Sequence, residues 1–150
     1  MVDAVECAAV RVRRQRLLLL AVAFACVDLT HKLVVHADYH HVRSRYVAFA
    51  MVAVITGLVT LVPRVPSTAA LLGASVAVGG ALGNLCSLFI WSHRGVPDPL
   101  VVQGGTTGLA FNLADVFAVV GGIVMISAVV LHGMRRQAAL AERPSARRVA

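Results

Sequence analysis

Charge is scarce in this sequence. Only 14% of its 150 residues are Asp, Glu, Lys or Arg, while 59% are hydrophobic and the mean hydropathy is +0.82. A soluble domain of this length has too little interior to hide so much apolar surface, so the composition excludes that class and indicates an integral membrane protein. Aromatic residues are few as well, at 5%. A net charge of +7 would otherwise suggest nucleic acid. The basic residues instead sit at the ends of apolar runs, without interleaved rings to stack on bases; they read as topology signals, and no nucleic-acid partner is expected. Cysteine is limited to Cys7, Cys26 and Cys86. With no C-x-x-C spacing they support neither a disulfide framework nor a zinc site, and they read as small apolar fillers. G-x-S-x-G, H-E-x-x-H and P-loop patterns are absent, and Ser67, Ser75, Ser87 and Ser127 have no evident base. No metal or cofactor is expected.

What the chain does have is four apolar runs, at about residues 17–36, 46–62, 68–91 and 109–132. Each is long enough to cross a bilayer. The expected fold is all-α: a single membrane domain, a four-transmembrane-helix bundle, with residues 1–16 and 133–150 as disordered tails. Arg11, Arg13, Arg14 and Arg16 precede the first run, and Ala23-Phe24-Ala25-Cys26 faintly resembles a cleavable leader. Ala23 stands where such sites favour Leu and the apolar stretch continues past Cys26, so a retained span is expected. Pro63 and Pro66 break the chain, and Ser67 can cap the third run. The loop 92–108, with Gly95, Pro97, Pro99, Gly104 and Gly105, reads as neither helix nor long strand. Arg11, Arg13, Arg14, Arg16, Arg64, Arg135, Arg136, Arg143, Arg147 and Arg148 fall on one side of these spans, against Lys32, Arg43, Arg45 and Arg94 on the other. By the positive-inside rule both termini are cytoplasmic.

Against that background the polar residues inside or beside the spans need a reason. An ionised carboxylate at the centre of a span costs roughly 2.5 to 3.5 kcal/mol unless it faces protein or water. Asp28 and Lys32 lie four apart on one helical face and read most simply as an ion pair. Asn84 ends the third run, Asp98 lies in the following loop and Asp115 opens the fourth run, so Asp28, Asn84, Asp98 and Asp115 collect near the outer leaflet. Two carboxylates brought together in a partly dry site cannot both ionise cheaply: one stays an acid while the other serves as base, and such a pair can activate water against an amide. Gly79 and Gly83 form a G-x-x-x-G pair, and Gly121 with Gly122 marks close packing in the fourth run. His36, Asp38, His40 and His41 crowd the link after the first run; a metal site is conceivable there, although a wet histidine-rich loop explains the same residues.

G-G-A-L-G-N-L from Gly79 to Leu85, G-V-P-D from Gly95 to Asp98 and F-N-L-A-D from Phe111 to Asp115 together resemble the lipoprotein signal peptidases, the signal peptidase II family of four-helix aspartic endopeptidases of the bacterial inner membrane. D-x-x-x-K at Asp28 and Lys32 is similar to that family's first-helix motif. The resemblance implies cleavage of the signal peptide of a lipid-modified prolipoprotein in the cell membrane, near the outer leaflet, with Asp98 and Asp115 as the catalytic pair. Asn84 and Asn112 would orient them or the substrate backbone, and Asp28 and Lys32 would support the site. The implied partners are the lipidated prolipoprotein and membrane lipids; the oligomeric state is left open. Three departures from the family pattern stand out. Ser87-Leu88 replaces the family's Asp-Arg, the loop from Ser87 to Asp98 is a residue or two longer, and the link 37–45 is expected to be too short for the small periplasmic sheet and its Asn-Gly motif. Two alternatives therefore stay beside the enzyme: a noncatalytic paralogue that binds lipopeptides or signal peptides, and a small ion or proton pathway using Asp28, Asp115 and the histidines.

Overall fold

The computed structural model describes residues 2–104 and 107–141. Gly105 and the end of the basic tail, with Arg143, Arg147 and Arg148, lie outside the described residues. Four helices dominate: α1 (Val2–Val34), α2 (Arg45–Leu61), α3 (Thr68–Ile90) and α4 (Leu113–Ala141). All four are long and apolar enough to cross a membrane.

The helix bounds differ from the sequence expectation at two places. The segment up to residue 16, expected as a disordered tail, is the first half of α1. It contains neither Gly nor Pro and is rich in Ala and Arg, which favour helix. At 33 residues α1 is about 50 Å long, against a hydrocarbon core of about 30 Å, so one end projects. Likewise α4 continues through residues 133–141 but begins at Leu113 rather than Leu109. The residues in between are taken by a strand.

That strand belongs to a correction of the all-α expectation: the fold is mostly helical but carries two small antiparallel sheets. β1 (Tyr39–His41) pairs with β2 (Val96–Asp98), setting Tyr39 opposite Asp98 and His41 opposite Val96. β3 (Leu100–Gly104) pairs with β4 (Thr107–Phe111) in a hairpin. The link 37–45 is therefore not too short to join a sheet. It contributes three residues, and the partner strand comes from the loop after α3. Pro97 can sit in β2 because a two-stranded ribbon leaves one edge unpaired and asks for no further N–H donor. Gly95 makes the turn into β2 at φ +87°, a region that disfavours a side chain, and a Cβ there would come within 2.9 Å of the His41 backbone.

The core is built around α3, most of whose residues from Ala70 to Ser87 on the packed faces are buried. From α1 it receives Leu17, Ala21, Ala25, Asp28 and Lys32, a stripe at steps of three and four that keeps to one helical face. Close approach depends on missing side chains. A Cβ on Gly83 would lie 2.6 Å from an Asp28 carboxylate oxygen, and one on Gly73 would lie 2.5 Å from the backbone nitrogen of Met125 in α4. α2 contributes no buried residue.

At the start of α3 the Ser67 hydroxyl accepts from the Ala70 amide at 3.2 Å, as expected of a cap. The proline turn before it is tied to α1 by Arg13, whose guanidinium donates to the carbonyls of Pro63 (3.1 Å), Ser67 (2.9 Å) and Val65. α1 and α3 thus run from this end toward the other, where α4 begins. The polar side chains near the ends of α1 and α3 and at the start of α4 meet there.

Candidate active site

Local chain geometry places the acids first. Asn112 is the residue before α4, and its side-chain oxygen accepts from the Asp115 amide at 3.2 Å. Asp115 in turn accepts from the Asn112 amide at 3.3 Å. This is a reciprocal capping box, which satisfies two orphan donors of the helix N-terminus and sets a carboxylate against the positive end of the helix dipole. A third donor of that first turn, the Ala114 amide, reaches Asp28 across the bundle at 2.8 Å. Asp28 is therefore both an interhelical cap for α4 and one half of an ion pair with Lys32, at 2.7 Å with both side chains fully buried.

Lys32 links the first helix to the third. Its ammonium donates to Asp28, to the Asn84 carbonyl oxygen (3.0 Å) and to the Ser87 hydroxyl (3.0 Å), which uses all three of its donors. Asn84, so oriented, donates its amide to Asp115 at 2.8 Å. Ser87 stands where the family pattern would have an acid; it passes its own hydrogen to the Gly83 carbonyl at 2.7 Å and lies fully buried.

Asp98, at the end of β2, is 1% exposed. The Asn112 side-chain amide donates to it at 2.6 Å, and His41 of β1 closes on its other oxygen through Nδ1. Asn112 thus contacts both acids, Asp98 through its side chain and Asp115 through its backbone amide. The two carboxylates differ in surroundings: Asp98 is enclosed, whereas the Asp115 side chain is 32% exposed and accepts from Arg43 at 3.2 Å. One acid is thus closed off with partners on both oxygens, while the other stays partly open.

The structure brings together all six residues singled out from the sequence, Asp28, Lys32, Asn84, Asp98, Asn112 and Asp115, in one hydrogen-bonded network. It adds His41 and Arg43. His41 figured in the sequence reading only as part of a histidine-rich loop, and Arg43 only as a topology charge; neither carries a motif, because both reach the acids through the β1–β2 pairing. The Asn112-x-x-Asp115 capping box was legible as a spacing and is the signal that the sequence reading passed over. The Arg43 Nε is buried without a partner among the described residues. His36 pairs with Asp38 at 3.4 Å on the surface while His41 turns to Asp98, and among the described residues no three His, Cys, Asp or Glu side chains converge for a metal ion.

No curated protein matches the chain. The family model described as Signal peptidase (SPase) II matches residues 36–131, well over half of the sequence, and takes in Asn84, Asp98, Asn112 and Asp115. Four membrane-length helices with these residues gathered where they meet, and a match of that extent, agree: the chain belongs to the signal peptidase II family.

Proposed function

We propose that this protein is a membrane aspartic endopeptidase that removes the signal peptide of lipid-modified prolipoproteins, with Asp98 and Asp115 as the catalytic pair. The observation that carries this reading is the double contact of Asn112, which hydrogen-bonds one carboxylate through its side chain and the other through its backbone. A water held between the acids attacks the scissile carbonyl carbon. One carboxylate takes the water's proton, and the partner's proton passes to the substrate, first at the carbonyl oxygen and finally at the departing amine as the C–N bond breaks. Asn84 and Asn112 fix the orientation of the acids. Lys32 and Asp28 hold Asn84 and the start of α4, and no metal or covalent nucleophile is required.

The arginine-rich end of the bundle, with Arg11, Arg13, Arg14, Arg16, Arg64, Arg135 and Arg136, supports cytoplasmic termini in a bacterial inner membrane and an active site at the outer leaflet. A substrate anchored by acyl chains meets such a site laterally. In vesicles containing the purified protein, a lipidated reporter peptide should be cleaved, and Asp98→Asn or Asp115→Asn should slow cleavage by about 10²-fold to 10⁴-fold, the range for removing a positioned acid or base. Cleavage unchanged in both variants would remove the proposal.

Ser87 and Leu88 favour a second reading, a paralogue that binds lipopeptide without cutting it, because the Lys32 network closes on a hydroxyl where the family pattern has an acid. The same vesicles separate the two: binding of a lipopeptide with no turnover by the wild-type protein selects the second.

A further inference from the structure

The end of the bundle opposite Asp98 and Asp115 carries a concentration of charge that the peptidase reading leaves unused. Two adjoining cavities open there, sharing Pro66 and His132 in their walls. One, of about 430 Å³, is lined by Arg13, Arg64, His132 and Arg136, with Glu6 the one carboxylate among its described lining residues. The other, of about 620 Å³, runs between the start of α3 and the later turns of α4 over Ile123, Val124, Ala128 and Leu131, with Arg135 at its rim. Both volumes fall in the usual range for ligand sites.

Arg13 is committed to the turn carbonyls. Among the described residues, Arg64, Arg135 and Arg136 make no ion pair. The first turn of α3 opens on the same groove through Ser67 and Ala69, adding the positive end of a helix dipole. A surplus of guanidinium groups beside an apolar slot on membrane-length helices asks for a ligand with an anionic head and a hydrocarbon tail. We propose that this groove binds one anionic glycerophospholipid, its phosphate held by Arg64 and Arg136 and an acyl chain laid along Val124 and Leu131. Guanidinium forks suit phosphate oxygens, and Ile123, Val124 and Leu131 of the slot are exposed apolar side chains of α4. A bound lipid bridges α1, the proline turn and α4 at the end remote from the acids.

The test uses the full chain purified in mild detergent, with native mass spectrometry to count retained lipid. Phosphatidylglycerol and phosphatidylcholine of matched chains are offered together, and inorganic phosphate is offered separately. One phosphatidylglycerol per chain should be kept in preference to phosphatidylcholine, and Arg64→Gln with Arg136→Gln should weaken retention about tenfold or more. Ser127→Trp, which fills the slot from an exposed position, should do the same. Arg45→Gln with Arg94→Gln, at the other end, should leave it unchanged, and circular dichroism checks that each variant is folded. Equal retention of the two lipids, or equal loss in the Arg45/Arg94 variant, overturns the proposal. Full displacement by inorganic phosphate together with an unaffected Ser127→Trp variant does so too, since that identifies a site for phosphate alone.

Discussion

Lys32 is the only lysine in the chain and is 4% exposed. Its three donors meet three acceptors, so the cost of burying the ammonium is offset by full satisfaction and by Asp28. Lys32→Met leaves the Asp28 carboxylate buried without its cation and is expected to destabilise the fold by about 3 to 5 kcal/mol. Thermal unfolding in detergent reads this. The double variant Asp28→Asn/Lys32→Met should cost less than the two single changes summed, because the pair fails as a unit. Arg43 is a residue of a different kind. It holds the more exposed acid, Asp115, by one charged hydrogen bond while its Nε has no partner among the described residues. Arg43→Gln should lower cleavage of the lipidated reporter by about 10-fold to 100-fold, as losing a charge-assisted bond implies. Arg45→Gln, two residues on and exposed, should change it less than twofold.

The first turn of α4 performs two tasks with the same residues. As a helix terminus it needs acceptors for its free amides, and Asn112, Asp115 and Asp28 provide them. As a site it needs two acids held in fixed relation. A single substitution separates the roles: Asn112→Asp keeps a good cap but sets a carboxylate against Asp98. Stability should fall by about 1 to 3 kcal/mol, because buried Asp98 loses its amide donor while the cap is kept, and turnover should fall about 10²-fold or more. Loss of stability with turnover retained would show that Asn112 serves the helix alone. α3 offers the complementary case. Gly83→Ala places a methyl 2.6 Å from an Asp28 oxygen and should cost about 1 to 3 kcal/mol by overpacking. Ser67→Ala, at the far end of the helix, should cost about 1 kcal/mol through the lost cap and leave cleavage intact.

At the scale of the molecule the two ends differ in chemistry. One gathers Asp28, Asp98, Asp115, Asn84 and Asn112; the other gathers Arg13, Arg64 and Arg136 beside the proline turn. The proposed topology is measurable, because Cys7 is exposed near the arginine end. In intact cells a membrane-impermeant maleimide should leave Cys7 unlabelled until lysis. In a background without Cys7, Cys26 and Cys86, a cysteine replacing exposed Ser92 should label at once. The reverse order would turn the bundle over and put the acids in the cytoplasm.

Hydrophobicity and charge are local properties, so the four apolar spans, the break at Pro63 and Pro66, the cap at Ser67 and the segregation of arginine could be read from the residues alone. Asp28, Lys32, Asn84 and Asp115 were legible because polar groups in apolar surroundings are costly; Asn112 and the role of Asp98 were legible through the resemblance of G-V-P-D and F-N-L-A-D to the family. Residues 2–16 continue the helix because no Gly or Pro interrupts it, but they lie outside the apolar run and so carry no hydrophobic period from which a helix is read. It took the folded chain to bring His41 and Arg43 to the acids, to pair a strand from link 37–45 and to set Asp28 as a cap on a helix residue 86 positions away. Those contacts join parts of the chain whose local preferences are silent about each other; they form where packing on the α3 glycines brings α1 and α4 close enough for polar groups to satisfy one another out of water.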